Sequence, residues 1–366
     1  MPQPWDDPSS SAGHDYRACR ALIRQGSRSF YAASLLLPMS VRMPACALYA
    51  FCRLSDDAVD APDARRDAIE GLRDRLNRAY AGTPRAFAAD RAFADVVDRF
   101  DLPKALPLAL LDGLAWDAEG RRCATRSDLF AYSARVAAAV GAMMTVLMGV
   151  RDAATLARAC DLGVAMQLTN IARDIGEDAR NGRLYLPLDW LDDVGLDPEA
   201  FLAEPRFDAR VAALTRRLLD EAEMLYARSI TGIAGLPFVC RPAIHAARLI
   251  YREIGEAVRA NALDSVSQRA FVPDGRKIAL VATALTQVQW GGRPSPEPAL
   301  AETQFLVDAV PAAAVAAPSG ARPVVARRPM TLMAEFDRRV GRMIEIMGEA
   351  ERGKRAAFMT RTELND

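Results

Sequence analysis

The chain has 366 residues, 51% apolar and 26% charged, enough to bury a sizeable core in one large domain or two smaller ones. Lys plus Arg and Asp plus Glu each total 47, so no overall field or basic block points to nucleic acid, and any phosphate chemistry must be local. Six dispersed cysteines (Cys19, Cys46, Cys52, Cys123, Cys160, Cys240) without a CxxC pair, and two histidines, argue against zinc and suit a reducing cytoplasm.

Residues 1–15 carry neither a basic start nor an apolar core of the secretory kind and read as a disordered N-terminus. From residue 16 to about 285 apolar residues recur at three and four residue spacings, Ala and Leu dominate, and alternating β-branched runs are scarce. This predicts an all-α domain, cut by Pro and Gly into segments long enough for packed helices.

The first chemically informative helix follows the apolar run 45–54, where Tyr49, Arg53, Asp56 and Asp60 form a stripe at steps of four, three and four. Carboxylates four residues apart on a helix can share divalent ions, but the spacing alone is weak. It recurs at Asp63/Asp67, Asp174/Asp178, Asp189/Asp193 and Asp193/Asp197. Asp63/Asp67 flanks two arginines and reads as a solvated helix start. The pairs around Asp193, between Pro187 and Pro198 with Gly195 inside, read as loop carboxylates.

The uncharged run 136–150 is 15 residues long, short of the roughly 18 to 20 that span a bilayer. It reads as a buried helix whose Ala, Gly and Met side chains either pack or wall a cavity for an apolar ligand. A second stripe emerges from the apolar run 162–168: Gln167, Asn170, Asp174 and Asp178, with Arg173 and Arg183 beside it. Two matching stripes facing each other would surround a space with like charges and bring in cations. Oxygen-only ligands with little histidine suit magnesium, with manganese as the alternative.

Residues 286–330, rich in Ala, Pro and Val, read as a linker, and 331–366 as an amphipathic helix and tail with Met333, Phe336, Val340, Met343, Ile344 and Met347 on one face. A P-loop-like string from Gly348 to Lys354 is followed by Arg355 where a Ser or Thr should hold magnesium, and it continues a helix. A nucleotide-binding protein and a non-catalytic helical scaffold therefore rank behind an enzyme.

Several of these strings resemble one family. Ser27-Arg28-Ser29-Phe30 with Leu36-Leu37-Pro38, Tyr49 to Arg53 with Asp56-Asp57-Ala58-Val59-Asp60, and Gln167 to Asp178 with Gly182-Arg183-Leu184-Tyr185-Leu186-Pro187 resemble the motifs of the squalene/phytoene synthases, over about residues 27–280. Lesser matches are Asp112-Gly113 with Trp116-Asp117, Tyr132 with Val136 and Gly141, Tyr251 with Ile254, Arg269, and Lys277. The chain departs from the pattern at Cys123, where a tyrosine is usual, and in its long extension after about residue 290. Cys123 reads as a small buried hydrophobe.

The resemblance implies a single helical bundle of the isoprenoid (terpenoid) synthase type with a central cavity. By the same resemblance Asp56, Asp60, Asn170, Asp174 and Asp178 would hold magnesium. Ser29, Arg53, Gln167, Asn170, Arg173, Arg183, Tyr251 and Arg269 would hold diphosphates, and Tyr49 and Arg53 would join the four aspartates in catalysis. The implied reaction is that of a prenyltransferase joining two geranylgeranyl diphosphates head to head through a cyclopropyl diphosphate to phytoene, the first committed step of carotenoid biosynthesis. No NADPH is expected. Squalene or dehydrosqualene formation from farnesyl diphosphate is the alternative. An almost insoluble product suggests a cytoplasmic enzyme held peripherally at the inner face of the cell membrane, beside other carotenoid enzymes.

Overall fold

The computed structural model describes residues 3–7, 9–26, 28–60, 65–287 and 292–312. Among these every regular element is helical: α1 (Ser11–Gly26), α2 (Arg28–Ser34), α3 (Met39–Asp60), α4 (Arg65–Tyr80), α5 (Ala88–Phe100), α6 (Ala105–Ala118), α7 (Arg126–Ser133), α8 (Ala139–Leu147), α9 (Ala153–Arg180), α10 (Leu188–Val194), α11 (Pro198–Ala203), α12 (Ala209–Ile233), α13 (Arg241–Ala260), α14 (Asp274–Thr286) and α15 (Gln304–Asp308). The all-α expectation holds.

Local chemistry sets where these helices start. Thr125 and Asp128 form a reciprocal capping box at α7. The side chains of Asp152 and Asp208 accept backbone N–H groups at the starts of α9 and α12, the two long helices of the bundle. α12 packs along α9, whose other neighbours include α8 and α13, whereas α3 packs against α1, α5 and α6. The two stripe-bearing helices are thereby placed on opposite sides of a shared interior.

α7 and α8 are joined through a π-helical turn, Ala134–Ala138. Gly163 of α9 allows this turn to approach closely: a Cβ there would lie 2.8 Å from the Ala138 nitrogen. Such π turns arise within α-helices and often border functional sites. The combined helix Arg126–Leu147 is 22 residues long, longer than the uncharged run suggested, and is apolar enough to cross a membrane by length and composition. In this fold 61% of its apolar window is buried within the bundle.

Three expectations need correction. The described part of residues 1–15 is packed: the Trp5 ring meets Tyr16 edge-on at 5.1 Å, the Arg99 guanidinium lies 4.8 Å from the Trp5 ring centre, and Asp15 pairs with Arg91 at 2.6 Å. One large aromatic side chain is enough to dock a short polar segment. The segment 292–312, read as linker, is also folded onto the core, burying Leu306, Val307 and Val310. Its Ala and Pro content masked these anchors. Residues 188–194, read as loop, form α10, bracketed by Pro187 and by Gly195 in the left-handed conformation (φ 65). Proline and glycine there bound a short helix and do not exclude one. Asp193 pairs with Arg217 at 2.9 Å and Asp197 caps α11, so both have structural partners. The amphipathic stripe 333–347 and the P-loop-like string lie outside the described residues.

Candidate active site

The two stripes meet at one cavity of about 970 Å³. Tyr49, Arg53 and Asp56 reach it from α3, and Gln167, Asn170, Arg173, Asp174 and Asp178 reach it from α9. Tyr251 of α13 and Arg269, in the segment before α14, complete the predicted set on its wall. Arg183 is not a wall residue, but its positive charge acts on Asp178 and Asp117. Asp60 closes α3 one turn beyond Asp56. Its carboxylate, the Ser29 hydroxyl and Asp63 lie outside what is described.

The arginines are paired with the acids. Arg53 contacts Asp57 at 2.7 Å and Asp56 at 3.8 Å. The Arg173 Nε donates to Asp174 at 2.8 Å, and Arg269 donates to the same carboxylate at 2.7 Å while lying 3.3 Å from Glu177. Burial alone would raise the Asp174 pKa, but hydrogen bonds from Arg173 and Arg269 bring it below the ordinary carboxylate value. One turn on, Asp178 goes the other way. Burial, and then repulsion from Asp174, push it up to about 7. The acidic side of the cavity is thus incompletely compensated.

Wall residues that the sequence-based site did not include are, among others, Asp117, Tyr132, Glu177, Tyr185 and Lys277. Tyr132 and Tyr185 stack at 5.0 Å and both donate to Asp117, at 2.9 and 2.8 Å. Burial raises Asp117 to about 6 despite these donors. All five stand in the strings that carry the family resemblance, which was the available signal, although no role was assigned to them there. Phe30 meets both site tyrosines, with ring centres 5.5 Å from Tyr251 and 6.4 Å from Tyr49, tying α2, α3 and α13 together.

The rest of the wall is apolar. Both readings of the run 136–150 hold, on different faces: Val136, Ala137, Val140, Gly141, Met144 and Met148 line the cavity, while Ala138, Ala139, Ala142 and Met143 are buried in the core. Leu162, Met166, Ile244 and Ile254 continue the apolar lining. Cys123 is buried, and burial pushes its thiol up to about 12, as expected of a packing residue. Among the described residues no three His, Cys, Asp or Glu side chains come close enough to cage a metal ion by themselves. The geometry suits a ligand with a polyanionic head and a long apolar tail.

Comparisons with known proteins agree. Residues 23–276 match the squalene/phytoene synthase family. The chain is 53% identical over 316 residues to a phytoene synthase of Cereibacter sphaeroides (81% of this chain, 88% of that one). It is 55% identical over 306 residues to one of Rhodobacter capsulatus (81% and 89%). Among solved structures, a dehydrosqualene synthase superposes with TM-score 0.70 at 32% identity, covering 78% of this chain and 98% of the other. A squalene synthase from Alicyclobacillus acidocaldarius gives 0.63 at 27% identity, covering 68% and 94%. Sequence, helical architecture and the paired acidic stripes converge: the chain belongs to the squalene/phytoene synthase family of prenyl-transferring enzymes.

Proposed function

We propose that the protein joins two molecules of geranylgeranyl diphosphate head to head, giving 15-cis-phytoene and two pyrophosphates. The observation that carries this reading is the polarity of the cavity: acids and arginines at one end, and apolar helix faces along the remainder.

The acid set fits divalent ions. Asp178, raised to about 7 by burial and then by repulsion from Asp174, shares a wall with that acid, and a cation there would favour the charged form of both. The oxygen donors on this wall, Asp56, Asn170, Asp174 and Asp178, suit magnesium, which keeps waters and uses substrate phosphates alongside one or two carboxylates. Asp56 and Asp60 would hold it on one side and Asn170, Asp174 and Asp178 on the other, with manganese as substitute. When bound, it neutralises charge developing on the departing diphosphate oxygens.

The chain's own residues do the rest. Arg53, Arg173 and Arg269 exchange their carboxylate partners for diphosphate oxygens, with Gln167 and Lys277 beside them on the wall. As the first carbon–oxygen bond breaks, these donors stabilise the leaving group more than the ground state. The allylic cation is attacked by the double bond of the second substrate, and loss of a proton gives the cyclopropyl diphosphate. Its own ionisation, rearrangement and a final proton loss give the C40 hydrocarbon without a reductant. Apolar walls keep water from quenching the cations. Asp117, with its two tyrosines, orders the acidic end.

The site of action is the cytoplasmic face of the cell membrane, where a hydrocarbon of negligible aqueous solubility can be handed on to other carotenoid enzymes. The test is incubation of purified protein and magnesium with C15 or C20 diphosphate, with and without NADPH, followed by product mass analysis. A C40 product from the C20 substrate alone supports the reading. A C30 product formed preferentially assigns the chain to the squalene or dehydrosqualene side.

A further inference from the structure

The far end of the cavity holds a charge where an apolar tail would end. Arg158 of α9 lines the cavity, yet it has 0% exposed surface. Its Nε lies 2.9 Å from Asp161, and Arg228 of α12 lies 3.2 Å from the same carboxylate. The segment 292–312 closes this cluster from behind. Glu297 lies 3.0 Å from Arg228 and 3.7 Å from Arg158, and the Pro298 carbonyl accepts from Arg158 at 3.1 Å and from Arg228 at 3.0 Å. Gly232 leaves the room, since a Cβ there would lie 2.3 Å from the Arg158 Cβ.

Two positive and two negative groups balance at this spot. A buried charge persists only when it is paired and hydrogen-bonded. An apolar side chain at the bottom of a tube can turn aside for a longer ligand. A guanidinium ion-paired with the buried Asp161 and hydrogen-bonded to the Pro298 carbonyl resists this, because displacing it would strand the buried Asp161 carboxylate. The segment that completes the cluster follows the family match, which ends at residue 276.

The position agrees with a definite tail length. Arg158 and Asp174 are on the same helix, about 24 Å apart at 1.5 Å per residue. A magnesium ion between the Asp174 carboxylate and a phosphate would take up about 4 Å of this, which leaves about 20 Å for the diphosphate and an extended tail, so a chain of four isoprene units already reaches the floor.

We infer that Arg158, latched from behind by Glu297 and Pro298, is the floor of the prenyl pocket and sets its length at four isoprene units. The inference rests on the reading of the cavity as a prenyl-diphosphate site. Its test compares kcat/KM for C15, C20 and C25 allylic diphosphates in the full chain, in Glu297→Ala, and in the paired variant Arg158→Ala with Asp161→Ala, which removes one charge of each sign. Opening the floor should raise the C25:C20 ratio at least tenfold in the paired variant and several-fold in Glu297→Ala. Glu297 is half exposed, so its single variant keeps the test available if the paired variant does not fold. A merely structural role would lower thermal stability and all rates together, and an unchanged C25:C20 ratio in folded protein overturns the inference. If the wild type instead prefers C15, the geranylgeranyl reading fails by itself, and the floor is then judged by whether opening it moves the preference to a longer chain.

Discussion

Arg269 donates to the Asp174 carboxylate at 2.7 Å from a segment 95 residues further along the chain. Together with Arg173 it covers the acid that we propose as a magnesium ligand. In the proposed reaction these arginines pass from the carboxylate to diphosphate oxygens, and this predicts how particular substitutions divide.

Asp56→Asn and Asp174→Asn should each lower turnover by at least about a hundredfold, or shift the magnesium requirement upward, while folding is kept, because asparagine preserves shape and removes charge. Asp63→Asn and Asp193→Asn should stay within about twofold of wild type, Asp193 having its partner in Arg217 outside the cavity. Rates titrated against magnesium, beside thermal melts, separate the two groups. If all four variants behave alike, the two-stripe mechanism is wrong.

Lysine cannot copy the two-pronged grip of a guanidinium. Arg53→Lys, Arg173→Lys and Arg269→Lys should reduce kcat/KM by about tenfold or more with little change in melting temperature, since lysine keeps a positive charge beside each acid. Wild-type kinetics in all three would make them structural pairs.

Asp117 offers a test of the part of the site that the stripes did not reveal. Tyr132→Phe and Tyr185→Phe each remove one donor to its carboxylate and should cost about 1 kcal/mol of stability. Turnover should fall more than pyrophosphate affinity does, because the cluster orders the reacting end of the cavity. Equal loss of binding and turnover in both variants would place the tyrosines with diphosphate binding.

The same carboxyl predicts a pH effect. Asp117 is raised from 3.8 to about 6 by burial, so its folded form holds its proton more tightly than the unfolded chain. Its stabilisation is present in full below pH 3.8 and is lost as pH rises through about 6. Asp174, lowered by its arginines, contributes in the opposite sense at more acidic pH. Melting temperatures in chelator should show wild type losing stability relative to Asp117→Asn as pH rises from about 4 to 7. A difference that stays constant over this interval refutes the assignment.

Much of this was legible in one dimension. The three to four residue period of apolar side chains specified helices, and the three- and four-residue steps of Tyr49, Arg53, Asp56 and of Asn170, Asp174, Asp178 placed each set on one face, because helical geometry is local. What distance along the chain hides was decided by packing. Only the folded bundle brings Arg269 onto Asp174, sets Tyr132 and Tyr185 against Asp117, and returns Glu297 and Pro298 to Arg158. Composition misread the segment 292–312 because a few buried anchors such as Leu306 are enough to dock an Ala/Pro-rich strand of chain once a core exists to receive them. The sequence determined helix faces and their chemistry, and the tertiary structure decided which faces share a cavity and where it ends, since contacts between distant residues depend on the mutual packing of whole helices.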